Sequence, residues 1–405
     1  MTESSRIALG SENEEDYSVP TSVREFWREA PVREVTTKDG GKAWLVSGMA
    51  EVRTVLSDPR FSRAEAHRRG AGTGRAAVFS RPGMHDLDPP EHTRLRQAAA
   101  SVFSVRRIRA LRPRVEQITG ELLAGVHDAG PPADLNAALC FPLPIAVICE
   151  ILGVPYEDRH RFRPWSEQIT STNAYPPEQA MEARRALVAY IAELAADADR
   201  CPEGSLLRVL ATARDVQGRL SEEEVVQIVF GVLVAGHETT ANMLGKGLVA
   251  LLDHPDQFAA VRADPSLVPS VIDEVLRYVV LSASTDPHEG LHLVTTREVE
   301  LGGVTIPAHS VVLASPSAAN LDPRAFPDPD RFDLGRGNAN DHVAFGHGLH
   351  RCLGAQLARL ELEVAYTALL REFPGLRLAV QVSELAYTSG MVLKGLRALP
   401  VTWNT

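Results

Sequence analysis

Cysteine is scarce in this 405-residue chain, with four residues at positions 140, 149, 201 and 352. That is too few for a disulfide framework. The first residues, MTESSRIALGSENEEDY, are polar and acidic and carry no secretion signal. Both features point to a reducing, cytoplasmic setting. Lysine is as rare, with 4 among the 42 basic residues and arginine as the rest. Together with abundant Ala, Val, Gly and Pro, this reads as the coding bias of a GC-rich genome, not as a functional signal. A net charge of −10 argues against nucleic acid as a partner. No apolar run approaches the roughly 18 residues of a membrane span, so no membrane partner is expected. A nucleotide loop is missing too. Gly70-Ala-Gly-Thr-Gly lacks the preceding strand and the full spacing. Neither NAD nor flavin is expected to bind, and any electrons must arrive through another protein. What is present is ordinary for a globular chain: 44% apolar and 23% charged residues, long enough to fold without a disulfide or metal staple.

Length alone suggests two or three domains at roughly 150 residues each. No repeat or low-complexity linker divides the chain, so the expectation is a flexible arm over 1–20 and one large domain over 21–405. The patterning is mainly helical with small sheets gathered late, an α+β arrangement. Strand signals fall at 42–47 and 291–315, and helices at 48–56, 91–126 (broken near Ser104), 138–153, 159–168, 177–197, 255–263 and 267–278. The stretch 62–90 reads as a long loop. Ser221-Glu-Glu-Glu opens a helix that can run past 30 residues, to Leu252.

The segment Phe345-Gly-His-Gly-Leu-His-Arg-Cys-Leu-Gly-Ala carries the clearest chemistry. Cys352 falls at the mouth of the last long helix, where N–H groups and the positive end of the dipole favour thiolate. Glycines at 346, 348 and 354 allow tight turns and close approach to a large flat ligand. A thiolate so placed suits a heme iron. His342, His347, His350 and Cys352 also admit a zinc reading, but their spacing matches no Cys/His finger. Cys140 and Cys149 read as core packing and Cys201 as a loop residue.

Phe345, Gly348, Cys352 and Gly354 resemble the heme-ligand loop of the cytochrome P450 family, and further segments agree in the right order over roughly residues 20–403. Ala235-Gly-His-Glu-Thr-Thr240 is similar to the family's oxygen-activation motif. The resemblance implies that Glu238 and Thr239 handle protons, with Ala235 and Gly236 beside the cofactor. Thr239 is expected to bond the carbonyl four residues back. Glu274-Val-Leu-Arg277 resembles the family's Glu-x-x-Arg pair, with Arg331 in the third, structural position. Asp88-Pro-Pro-Glu-His-Thr-Arg-Leu-Arg96 resembles the segment entering the helix at the heme edge. His92, Arg96 and His350 are then the partners of the heme propionates.

One departure stands out. Many bacterial relatives place a propionate-binding arginine shortly before Glu-Leu-Gly-Gly. Aligning on Glu300-Leu-Gly-Gly303 puts Leu293 there. His292 or Arg297 is the candidate substitute, and the connection over 282–290 is longer than expected.

The resemblance implies a single large fold with a long central helix over the heme. It implies a heme-thiolate monooxygenase with heme b, ligated by Cys352 as the metal ligand, and O2 as co-substrate. Electrons would come from NAD(P)H through ferredoxin and ferredoxin reductase. The substrate is expected to be a small hydrophobic molecule of bacterial secondary metabolism. Pocket candidates by family position are Met84, Leu87, Val232, Ala235, Leu281, Leu291, Met391 and Val392, beside Phe345 and Gly346 at the cofactor. A monomer is expected. Partner docking is expected on the cysteine side, among Arg106, Arg107, Arg109, Arg351 and Arg359. A heme protein that binds without turnover, and a peroxide-driven or oxidative-coupling enzyme, are the alternatives.

Overall fold

Ser221 opens the longest helix of the protein, Glu222–Leu252, as its sequence requires. Its Oγ accepts the Glu224 N–H at 3.2 Å, while the Glu224 carboxylate accepts the Ser221 N–H at 2.9 Å. Two donors left free by the helical ladder are thereby satisfied. Arg94 adds an ion pair to Glu224 from the neighbouring helix. Beyond Val225 apolar residues occupy every face, so most of the helix is buried all round. The helices Pro142–Leu152, Pro177–Ala196 and Ala355–Glu372 pack against it.

The computed structural model describes residues 17–37, 40–70, 82–215, 219–281 and 290–404. Within them, helices dominate and three small sheets flank the helical core. The largest sheet has the order Val32–Thr36, Lys42–Val46, Val311–Ala314, Leu291–Thr295, Phe61–Ser62. Its one parallel pairing joins Lys42–Val46 to Val311–Ala314. Period-2 alternation then divides its side chains between two cores. Val312 and Leu293 belong to a small cluster with Phe61 and Val46, whereas Leu313 belongs to the large helical cluster.

Several boundaries differ from the sequence reading. Tyr17 and Val19 are buried, and the Tyr17 hydroxyl donates to Asp253 at 2.5 Å, so the end of the expected arm is packed. A helix, Thr21–Arg28, follows it. The expected loop over 62–90 begins with a strand and a helix, Arg63–Arg68, capped by Ser62, whose Oγ accepts the Glu65 N–H at 2.8 Å. Ser62-x-x-Glu65 is capping-box spacing, a signal that local composition obscured. Residues 71–81 of that loop, and 282–289 of the long connection, lie outside the described residues. The expected helix over 138–153 is divided into a wide π turn, Asn136–Cys140, and Pro142–Leu152. Proline at the first position of the second segment lacks the N–H that would continue the ladder.

Candidate functional site

The Cys352 loop closes on itself through its backbone. The Phe345 carbonyl accepts the Cys352 N–H at 2.8 Å, and the Val343 carbonyl accepts the Gly346 N–H at 2.8 Å. Gly348 has φ +67, and a Cβ there would stand 2.4 Å from the Leu56 carbonyl oxygen. Backbone rather than side chain blocks the space, so only glycine fits. Gly354 differs: it has φ −85, and a Cβ built on it meets nothing within 4 Å. It leaves open space two residues along the chain from the thiol.

Cys352 lies two residues before Gly354, the N-cap of Ala355–Glu372. The residue is exposed on one side. Even so, the surrounding protein desolvates its sulfur and pushes the thiol above its ordinary value. This corrects the expectation of a lowered value. The Gly354 N–H and the charges of Arg96 and Arg351 pull in the expected direction, but burial outweighs them. A thiolate there needs a cation bound to the sulfur itself.

Basic groups gather beside this loop. His92 and Arg96 share a face of the helix Glu91–Ala100. Arg96 donates to the Arg351 carbonyl at 2.6 Å. The rings of His92 and His350 lie 4.1 Å apart. His92 is 1% exposed, and its Nδ1 has no hydrogen-bond partner. Burial first, then Arg63 and the other nearby cations, hold His350 down to about 3. His92 is lowered as well, by burial and then Arg96 and Arg63. A thiol donor, open space at Gly354 and an orphaned buried imidazole among cations suit a flat metal-bearing group with anionic edge substituents. The zinc reading fails on geometry: His342 Nδ1 accepts the Ala344 N–H at 3.1 Å and its Nε2 lies 3.1 Å from Arg359. Among the described residues no three His, Cys, Asp or Glu side chains could share a metal ion.

The middle of the central helix presents two polar groups in different directions. Thr239 Oγ1 donates to the Ala235 carbonyl at 2.7 Å, the expected bond four residues back. Ala235 is exposed there although it sits mid-helix. Glu238 is 7% exposed and turns instead to Thr170, whose Oγ1 lies 3.0 Å from its Oε2. Burial raises Glu238 to about 7, against the bond from Thr170. Gly236 is explained differently from the expectation of cofactor approach. A Cβ there would lie 2.7 Å from Ile148 Cδ1, so the glycine admits the helix Pro142–Leu152.

Glu274 and Arg277 are fully buried and bidentate, with Nε–Oε2 and Nη2–Oε1 both at 2.7 Å. The third cation is Arg336, not Arg331. Arg336 Nε lies 3.3 Å from Glu274, while Arg331 is exposed and offers only its carbonyl, to Arg277 at 3.1 Å and Arg336 at 3.0 Å. Arg277 also donates to the carbonyls of Asn320 and Pro329, at 3.0 and 2.9 Å. The network thus pins the turns before the cysteine loop.

Among the pocket candidates, Met84, Leu87, Val232 and Leu281 are partly buried against the large core. The Leu281 carbonyl accepts the Lys394 N–H at 3.0 Å, and the Val392 N–H donates to the Thr170 carbonyl at 2.9 Å. Met391 bridges Ser171. The C-terminal segment thereby joins Leu281 to the end of the helix Arg159–Ile169. Leu291 departs from the set: it is 36% exposed and shares its strand face with Leu293. Leu293 is 2% exposed in the small cluster. His292, with Val294, takes the opposite face of this strand, the one shared with Leu313 of the large core. Arg297 is exposed beyond the strand, where its charge acts on Asp58. It is not the substitute donor. Thr170, Arg336 and Arg63 escaped the sequence reading. Cys140 and Cys149 are core residues, with burial pushing the Cys149 thiol up to about 12.

The cytochrome P450 family model matches residues 177–376. Nocardicin C N-oxygenase of Nocardia uniformis subsp. tsuyamanensis is 44% identical over 377 residues, 93% of either chain. Mycinamicin IV hydroxylase/epoxidase of Micromonospora griseorubida is 40% identical, covering 92% of each. The crystal structure of the LnmA cytochrome P450 hydroxylase from the leinamycin pathway of Streptomyces atroolivaceus superimposes with a TM-score of 0.86 at 42% identity, over 97% of this chain and 99% of that one. Shared sequence over nearly the whole length, and a shared fold, show that the chain belongs to the cytochrome P450 family.

Proposed function

We propose that this member of the family oxygenates a small, largely hydrophobic intermediate of bacterial secondary metabolism, with Cys352 as the residue that would hold the heme iron and Thr239 with Glu238 as its proton-handling pair. The relatives named above, an N-oxygenase and a hydroxylase/epoxidase, support the reaction class. The observation that carries the residue assignment is the gathering of the Cys352 thiol, the open space at Gly354 and the basic groups of His92, Arg96 and His350, with His92 Nδ1 left without a partner. Heme bound there supplies oxygen activation, with the thiolate pushing electron density to favour O–O cleavage.

The chain's own residues do the rest. Gly354 N–H and Arg96 stabilise negative charge on Sγ. Arg96, His92 and His350 hold the anionic edge. Ala235 leaves space beside the helix. Thr239 keeps its hydroxyl hydrogen on the Ala235 carbonyl and offers its lone pairs outward. Burial raises Glu238 to about 7, so its carboxyl is partly protonated near neutral pH, as a general acid requires. That poised carboxyl favours turnover over a binding-only role. Met84, Leu87, Val232, Leu281, Met391 and Val392 supply the apolar lining.

The family draws electrons from protein partners, and a ferredoxin with its reductase fits here. Arg106, Arg109 and Arg351 are exposed for docking, whereas Arg359 is held by Asp273 at 2.5 Å and Arg107 by the Gly204 carbonyl. No helix of the described residues is long and apolar enough to cross a membrane. The reading includes one domain over 21–405, a monomer, and the cytoplasm, where Cys352 stays reduced. The test is spectroscopic. Purified protein with carbon monoxide and dithionite gives the red-shifted Soret band of thiolate ligation, and Cys352→Ser abolishes it. A band that survives in Cys352→Ser removes this cysteine from the iron.

A further inference from the structure

Arg63 stands where the strand Leu291–Thr295 lacks an arginine. Ser62 pairs with Val294, and cross-strand partners share a face, so Ser62 lies on the side of the sheet that His292 faces. Arg63 follows Ser62 and begins the helix Arg63–Arg68. Its Nη1 lies 3.3 Å from the His85 carbonyl, and the guanidinium is close enough to His92 and His350 for its charge to act on both rings.

The guanidinium is desolvated, with burial weighing against its charge. Its nearest acids are otherwise engaged. Asp88 accepts from the Ser62 hydroxyl and from the Arg63 backbone N–H at 3.1 Å. Asp86 accepts the Gly83 N–H at 3.0 Å and faces His85 at 3.1 Å. Among the described residues, no carboxylate comes within ion-pair distance of Arg63 or of Arg96. Two desolvated guanidiniums and the orphaned Nδ1 of His92 therefore converge with no protein anion between them. A desolvated guanidinium with no counter-charge is costly, and such groups are retained where an anion completes them.

We infer that Arg63 binds a carboxylate of the heme, replacing the arginine that the 291–295 strand does not supply. This rests on the heme-thiolate reading above. Leu293 cannot be the vacant position to refill, since it is buried in the small cluster on the far face of the strand. The helix Arg63–Arg68 delivers the cation from the neighbouring strand instead. The chain thus keeps a guanidinium beside Arg96, His92 and His350, and only its origin changes.

The test is heme transfer from holoenzyme to excess apomyoglobin, followed by absorbance. Arg63→Leu and Arg63→Gln are expected to lose heme about tenfold faster or more, the range of a charge-assisted bond. Arg63→Lys should recover most of the difference, and His292→Leu should release heme at the unmodified rate. Removing the cation should also lower the ferric–ferrous potential, since the ferric state gains relative stability. Arg63→Gln keeps a polar group of similar reach and covers the case in which Arg63→Leu does not fold. Unmodified rates in both Arg63 variants, or acceleration in His292→Leu alone, would overturn the assignment. Failure of the parent protein to give the red-shifted ferrous–carbonyl band would instead overturn the heme-thiolate reading beneath it.

Discussion

Thr170 Oγ1 lies 3.0 Å from Glu238 Oε2, joining the C-cap of the helix Arg159–Ile169 to the middle of the central helix. The hydroxyl has one hydrogen and several acceptors in reach: the Ser166 carbonyl at 2.9 Å, the Glu167 carbonyl at 3.3 Å and the Glu238 carboxyl. Donation from Thr170 to the carboxyl favours its charged form, and burial, the larger effect, favours the neutral one. The Thr170 backbone also carries the C-terminal segment through Val392. The acid of the central helix is therefore tied to two segments that bear the pocket residues.

This arrangement sets a pH dependence with a definite sign. Burial raises Glu238 from 4.5 to about 7, so the folded state binds its proton more tightly than the unfolded state. Stability from this group is fully present below the unfolded value, falls as pH rises toward 7, and changes no further above it. A shift of this size is worth about 3 kcal/mol. Glu238→Gln should match the parent near pH 5 and exceed its melting temperature at pH 8. Glu361, also buried, shifts in the same direction but cancels in the difference. A constant difference across the range would show that Glu238 titrates like a solvated carboxylate. Thr170→Val removes a bond that lowers Glu238 and should move the alkaline limb of activity upward.

Thr239 is expected to matter for coupling and hardly at all for folding. Among the described residues its hydroxyl bonds only the Ala235 carbonyl, and such back-bonds add little to helix stability. Thr239→Ala should keep the ferrous–carbonyl band and a melting temperature within about 0.5 kcal/mol of the parent. Product formed per NAD(P)H consumed, measured with a reconstituted ferredoxin system, should drop sharply. Unchanged coupling would take Thr239 out of the proton path.

The buried network separates two arginines that the sequence could not. Arg336 touches Glu274 and is almost wholly buried, whereas Arg331 is exposed and serves through its carbonyl. Arg336→Ala leaves Glu274 short of one cation and should cost about 3 kcal/mol or more in urea unfolding. Arg331→Ala keeps the carbonyl and should lie within about 0.5 kcal/mol of the parent. Comparable losses in both would restore Arg331 to the network.

Legibility followed range. Ser221 with Glu224, Glu274 with Arg277, and Ala235 with Thr239 are pairs three or four residues apart, and helical period alone brings them together. Each stands in the structure as its spacing required. Cys352 was legible as a ligand from its glycine-rich loop, but the state of its thiol was not, because a helix start is local and desolvation depends on everything folded around it. Arg331 and Arg336 lie in a stretch of turns, where no period says which side chain points inward. Arg63 follows a serine in a stretch read as loop. Its significance comes from a strand pairing with residues 294 and 295, which no local pattern announces. Leu291 and His292 differ by one position, and that single step decides which core each one faces.

Gly236 offers the sharpest separation of a packing role from a cofactor role. A helix-interior glycine costs about 1 kcal/mol against alanine, so Gly236→Ala would stabilise the helix if only propensity mattered. The new Cβ would instead stand 2.7 Å from Ile148 Cδ1 and 3.0 Å from its Cγ1. Forcing that contact in a packed interface should cost about 1–3 kcal/mol. Ile148→Val removes Cδ1, the closer of the two atoms. In the Ile148→Val background, Gly236→Ala should therefore cost much less, and the propensity gain could show. Thermal unfolding of the four proteins in this cycle gives the coupling directly. Additive effects, with heme affinity lost in Gly236→Ala whatever stands at 148, would return Gly236 to the cofactor side of the helix.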